Sequence, residues 1–296
     1  GQDSFEYRWN LSSGATNTAK VIFDITSPCS AGDCYRIKRL GNISTVTRPS
    51  NDYGAMAIND AGEVAVTVYV NKLSNNFFDS YSAFYRSPTS NQFVSLNDFI
   101  APVIGVDMWS GVVDLNNSGK ALITYQNQYA TDPNSGYYVI NARTGDISAR
   151  APLWGHAAMN NASQVLLSTT FPDASYAAVW DPIANQTKDL SIEPNWPAAS
   201  LRPDALDIND KGQIAGSYVL FNRFPWAFRW DQEIGVDDLS SALNLGSEPI
   251  AINNPGQIVG TYVPNAYAEA FFWDKTSGFK GLGALSPVGF RDPRNG

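Results

Sequence analysis

The sequence holds a single imidazole, His156, which puts chemistry needing several histidines out of reach. A three-histidine zinc centre is impossible. A serine–histidine–acid triad would have to use that one ring, and no G-x-S-x-G nominates a nucleophile. The two cysteines, Cys29 and Cys34, stand close together in "PCSAGDC". Four intervening residues, one a glycine, can turn tightly enough to close a small disulfide loop, whereas a redox or metal pair would call for C-x-x-C or a second pair. The pair reads as a structural disulfide and favours an oxidising, extracytoplasmic home. Carboxylates need no local motif to converge. Asp107, Asp132, Asp173, Asp204 and Glu269 therefore leave a glycan hydrolase or lyase open as an alternative, although solvated loop acids explain them as well. There is no phosphate-cradling loop, no dinucleotide fingerprint, and "DINDKG" lacks the alternating acids of a calcium loop. The sequence implies no cofactor and no metal, and it points away from catalysis.

Binding chemistry is better represented. Trp109, Trp154 and Trp196 recur in connecting segments, together with Asp107, His156, Arg202 and Tyr267. Flat aromatic faces beside carboxylate and guanidinium groups can stack on sugar C–H faces while the polar groups meet hydroxyls. Packing between structural units is the competing explanation for any single tryptophan. With 28 acidic against 20 basic residues and a net charge of −8, the chain lacks the cationic surplus that a nucleic-acid partner would need. No apolar run approaches the roughly 20 residues of a membrane-spanning helix. Glycosylation sequons begin at Asn10, Asn42, Asn116, Asn161 and Asn185.

What must position these residues is a repeat. "AINDAGEVAVTVYV" (57–70), "DLNNSGKALITYQ" (114–126), "AMNNASQVLLSTT" (158–170), "DINDKGQIAGSYV" (207–219) and "AINNPGQIVGTYV" (251–263) are variants of one phrase, with leading asparagines 57, 44, 49 and 44 residues apart. A second phrase follows: "AFYRSPTSNQFVSL", "AAVWDPIANQTKDL", "AFRWDQEIGVDDL" and "AFFWDKTSGFKGLGAL", with a weaker version at 137–148. Each phrase is two branched or aromatic runs around an Asn/Asp/Gly turn, the pattern of a β-hairpin. Two hairpins per unit make four short strands without helical periodicity. Such a unit, repeated about every 45 residues, is expected to pack radially as a β-propeller. Phe228, Trp230, Phe271 and Trp273 then become wedges between blades.

The motifs A-x-x-I-N-[DN]-x-G-x-[VI]-x-G and A-F-x-W resemble the HAF-type extracellular repeat proteins, named for a His-Ala-Phe tripeptide. The likeness covers roughly 35–285, but Ser82, Trp226 and Glu269 stand where the naming histidine would be. The resemblance implies a secreted or surface-exposed, mostly bacterial propeller-like protein with no catalytic residues to carry over.

The expected fold is all-β: one propeller domain over 1–296, with blades near 52–97, 108–150, 155–191, 203–240 and 247–285. A sixth blade is assembled from 5–40 and 288–292, and five blades are the alternative. Short turns crowd one face and long, unequal, aromatic-bearing connections the other. That asymmetry makes the long-connection face the expected binding surface. A glycan is the first expectation for its ligand and an extracellular protein or adhesion partner the second. Membrane insertion is not expected, and the chain could be a segment of a larger surface protein.

Overall fold

The computed structural model describes residues 56–70, 80–90, 92–104, 109–126, 134–152, 155–171, 174–190, 201–219, 225–239, 246–264 and 268–283. They form five antiparallel sheets of four strands each. Blade 1 comprises β1 (Met56–Ile58), β2 (Val64–Val70), β3 (Ser80–Arg86) and β4 (Val94–Ser95). Blade 2 comprises β5 (Trp109–Leu115), β6 (Lys120–Gln126), β7 (Gly136–Asn141) and β8 (Ile147–Pro152). Blade 3 comprises β9 (His156–Met159), β10 (Val165–Phe171), β11 (Ala174–Asp181) and β12 (Gln186–Asp189). Blade 4 comprises β13 (Leu201–Ile208), β14 (Ile214–Val219), β15 (Pro225–Asp231) and β16 (Gly235–Asp238). Blade 5 comprises β17 (Ser247–Ile252), β18 (Ile258–Tyr262), β19 (Glu269–Asp274) and β20 (Gly278–Gly283). Every repeated phrase is a hairpin of one blade, as its turn residues dictate.

One expectation is corrected. The described residues form five blades and not six. Consecutive blades are bonded from the first to the fifth, but no such bond joins blade 5 back to blade 1 among the described residues. The terminal segments 5–40 and 288–292, assigned to a closing blade, lie outside the described residues. The all-β class holds among the described residues, with one short helix, α1 (Asn97–Ile104), in the connection after β4. Leu96 and Ile100, four residues apart, are fully buried against blades 1 and 2 and hold that helix down.

Packing between blades explains the rest of the consensus. One apolar cluster fills each of the four junctions. Phe228 and Trp230 sit at the junction of blades 3 and 4, and Phe271 and Trp273 at that of blades 4 and 5. The wedge role expected of these aromatics is therefore the observed one. Middle strands such as β7, β14 and β15 are buried on both faces and so read as continuous apolar runs. Hydroxyls add bonds across the junctions: Val112 N donates to Thr67 Oγ1 (2.8 Å), Ala205 N to Ser168 Oγ (3.1 Å) and Ala227 N to Ser247 Oγ (3.1 Å).

The second glycine of "GQIAGSY" has a different origin from the turn glycines. Gly216 pairs across the sheet with Phe228, and a methyl group added there would lie 2.4 Å from Asp204 O and 2.5 Å from Phe228 Cζ. The ring lies where a side chain would be, the arrangement in which an aromatic covers a strand glycine. Gly216→Ala is expected to destabilise the fold by about 3 kcal/mol, because a backbone carbonyl and a core ring must both move. Urea unfolding checks this, and a loss below about 1 kcal/mol would contradict it.

Candidate functional site

The five turns between first and second strands converge at the axis of the ring. Each turn opens with an asparagine whose Oδ1 accepts backbone N–H groups of its own turn. Asn209 Oδ1, for instance, takes Lys211 N at 3.0 Å and Gln213 N at 2.9 Å. This local bond is what the repeated asparagine offers as a turn former. The other end of the same amide leaves the blade. Asn59 Nδ2 donates to Asn116 O (2.9 Å), Asn116 Nδ2 to Asn160 O (3.3 Å), Asn160 Nδ2 to Asn209 O (3.0 Å), and Asn209 Nδ2 to Asn253 O (2.9 Å). A second ladder runs beside it. The backbone N–H groups of Asp60, Asn117, Asn161 and Asp210 donate to the Oδ1 atoms of Asn117, Asn161, Asp210 and Asn254, at 2.7–2.9 Å.

Blade 3 departs from the consensus, with Ser163 where four blades have glycine. Ser163 adopts φ 67° in the left-handed region, and its Oγ receives Asn116 Nδ2 at 3.1 Å. The side-chain bond offsets part of the cost of that backbone geometry.

These turns surround an open depression of about 360 Å³ on the short-turn face. Its lining draws on all five blades and includes Asp60, Asp114 and Asp210 among asparagine amides and the ends of inner strands, with no lysine, arginine or histidine. At Asp210 partial burial opposes ionisation, but hydrogen bonds from Asn161 and Asn254 outweigh it and hold the carboxyl below its usual range.

Deeper along the inner strands, β-bulges at Val112/Asp114 and Ala205/Asp207 place two aspartates where the other blades carry Ala57, Ala158 and Ala251. Asp114 Oδ2 accepts the N–H of Met159 in blade 3 (3.0 Å), and Asp207 Oδ2 that of Ile252 in blade 5 (2.8 Å). Burial pushes both carboxyls up, and the backbone N–H groups they accept oppose the shift. Asp114 raises Asp207 further, whereas His156 lowers it. Together these acids make the axial region electronegative. They also clasp blade 2 to blade 3 and blade 4 to blade 5.

Those of the residues expected from sequence to bind a ligand that the structure describes do not line this depression. Trp109 and His156 begin inner strands, on the opposite, long-connection face. Trp109 is half-buried and pairs with Gln126, while the exposed His156 ring meets Leu206 O through Nε2 at 2.6 Å. Arg202 belongs to β13, and Asp204, a loop acid by expectation, lies within that strand and accepts Ser168 Oγ at 3.0 Å. Asp107, Trp154, Trp196, Tyr267, Cys29 and Cys34 lie outside the described residues. Among the described residues no group of three or more His, Cys, Asp or Glu could hold a metal ion. No described helix is long and apolar enough to cross a membrane.

What sequence reading missed is the short-turn face. The asparagines are visible in every copy but are explained locally by the turn. The signal for the axial acids is a single alternation, in which the residue two before the leading asparagine is Asp in blades 2 and 4 and Ala in the others.

No protein-family model matches this chain, so the HAF-type resemblance rests on its motifs alone, and no curated protein matches it either. Solved structures do share the architecture. Acylaminoacyl peptidase from Pyrococcus horikoshii superposes at TM-score 0.54 with 9% identity, over 79% of this chain and 39% of that one. Oligogalacturonate lyase from Vibrio parahaemolyticus gives 0.50 at 6% identity, over 77% and 68%. Dipeptidyl peptidase 4 from Porphyromonas gingivalis gives 0.50 at 10% identity, over 78% and 36%. The chain thus spans well under half of either peptidase. At such identities the likeness concerns the fold, a propeller-like array of four-stranded blades.

Proposed function

We propose that this chain is an extracytoplasmic protein-interaction propeller that receives a basic segment of its partner in the short-turn depression. The observation that carries this reading is the lining, in which three carboxylates drawn from three blades meet no lysine, arginine or histidine among the described residues. Asp207, behind it, adds a further carboxyl to the same axial region. A guanidinium or ammonium group entering there would relieve mutual repulsion and find amide acceptors beside it. The overall charge of −8 steers the same class of partner. The closely spaced cysteines support the extracytoplasmic part.

Asp60→Asn with Asp210→Asn tests the reading. Asn117, Asn161 and Asn254 occupy the equivalent position in the other three blades, so the double change removes two charges and keeps an Oδ1 for the backbone ladder, while giving up the Oδ2 acceptors that take Asn117, Asn161 and Asn254 Nδ2. Titration calorimetry with an arginine- and lysine-rich peptide should show salt-sensitive binding, weakened about tenfold or more in the double variant, a loss of roughly 1.4 kcal/mol. Equal binding of basic and acidic peptides, or no change in the double variant, would sink the proposal.

A further inference from the structure

We propose that Asn185 is a site of covalent N-glycan attachment. The inference rests on the extracytoplasmic part of the reading above, but not on the depression or its ligand.

The structure separates three of the sequons that look alike in sequence. Asn116 is 4% exposed, and its Nδ2 is spent on Asn160 O and Ser163 Oγ across a blade junction. A sugar on that nitrogen would have no room and would break the ladder. Asn161 is exposed, but its Nδ2 donates to Asp210 Oδ2 at 3.0 Å and lines the depression. Asn185 differs from both. It sits in the turn between β11 and β12, on the same face as the other short turns, in a run where 183–188 are all exposed. Ile183 beside it is 73% exposed, and no hydrogen bond engages the Asn185 amide among the described residues. With a φ of 50° it is the last residue of a turn that Asp181 Oδ1 fixes by accepting Ile183 N and Ala184 N, both at 2.9 Å. Thr187, the hydroxyl residue of the sequon, is also exposed and opens toward solvent on the outermost strand of the blade.

The chemistry is a group transfer. Asn185 Nδ2 attacks the anomeric carbon of a lipid-pyrophosphate-linked oligosaccharide, forming an N–C bond. The C–O bond to pyrophosphate breaks, the lipid pyrophosphate leaves with the electron pair, and Nδ2 gives up one proton. Transfer precedes complete folding, so a sequon stays filled only where the folded protein can carry the glycan. Asn185 meets that condition and Asn116 does not.

The test is secretion of the whole chain from a glycosylating yeast host, followed by peptide mass spectrometry before and after endoglycosidase. Most secreted molecules should carry a glycan on the peptide containing Asn185, and peptides containing Asn116 or Asn161 should carry none. Asn185→Gly keeps the left-handed turn and Thr187→Ala keeps the asparagine, and each should abolish that modification while secretion continues. An unmodified Asn185 in secreted, folded protein overturns the proposal, as does persistence of the glycan at that peptide in Thr187→Ala. Peptide binding to the same samples reports the depression separately, so either reading can fail alone.

Discussion

Glu63→Gln should cost about 2 kcal/mol of stability at neutral pH, and the loss should shrink as the solution is acidified. Glu63 closes the first turn of blade 1 and is 3% exposed. Its carboxylate takes Arg143 Nε at 2.6 Å and Nη2 at 2.8 Å from blade 2, Tyr85 Oη at 2.6 Å and Asn59 Nδ2 at 2.5 Å. Arg143 reaches it by crossing Gly119, where an added methyl group would lie 2.5 Å from Nε. The bond to Arg143 is the main cause holding Glu63 at about 2, against an ordinary 4.5, despite the opposing effect of burial. Burial and the Glu63 carboxylate push the Tyr85 phenol up to about 12.

At ~1.4 kcal/mol per pH unit that depression corresponds to roughly 3 kcal/mol. The Arg143 side chain is 46% exposed, so solvent screening reduces the expected loss to about 2 kcal/mol. Because the folded value lies below the unfolded one, the contribution is complete above 4.5 and disappears as pH falls toward about 2. Urea unfolding of wild type and Glu63→Gln at several pH values should show the gap closing through that window. A gap independent of pH would mean that the carboxylate is not what joins blades 1 and 2.

The same residues show what could be read in advance. Hairpins were legible because Asn, Asp and Gly announce turns at the scale of four residues, and the aromatic wedges because alternation separates core from surface within a strand. Contacts between blades are another matter. Nothing local in "EVAVTVYV" says that its glutamate meets an arginine 80 residues later. The helix α1 escaped notice because two turns give too short a periodicity, and its buried pair, Leu96 and Ile100, suits a strand end equally well. The sixth blade was inferred from strand-like runs near both termini. Runs of that kind report β propensity, whereas the number of blades is a matter of packing around an axis. The short-turn depression is hard to read in sequence for a related reason. Long variable loops draw attention as binding surfaces, while five nearly identical turns read as scaffold until their side chains are seen converging on one depression.

Asn209→Asp isolates that convergence from the turn that creates it. A carboxylate retains an acceptor for Lys211 N and Gln213 N, so the hairpin's own bonds survive. It loses the donor that now serves Gln213 Oε1 at 2.8 Å and Asn253 O at 2.9 Å, and sets a charged oxygen against both. At a site 4% exposed, repulsion and desolvation together should cost about 3–4 kcal/mol. Asn253→Asp is the matched control. It shares the local bonds to Gln257 N at 2.9 Å and Gln257 Oε1 at 2.8 Å, although Pro255 has no N–H to match that of Lys211, but it is exposed and donates to no further blade among the described residues. Its cost should stay near 1 kcal/mol. The introduced carboxyl at 209 would titrate above its ordinary range, being buried and facing oxygens. Its penalty is therefore present above that raised value and is relieved as pH falls through it, because the protonated acid can donate again to Asn253 O. Denaturant titrations of both variants at neutral and mildly acidic pH decide the matter. A large, acid-relieved loss at 209 beside a small one at 253 assigns the asparagines a ring-wide role, in which each turn is held partly by the next. Equal losses would reduce them to five independent turns and leave the blades joined by apolar packing and the hydroxyl and carboxylate bonds across the junctions.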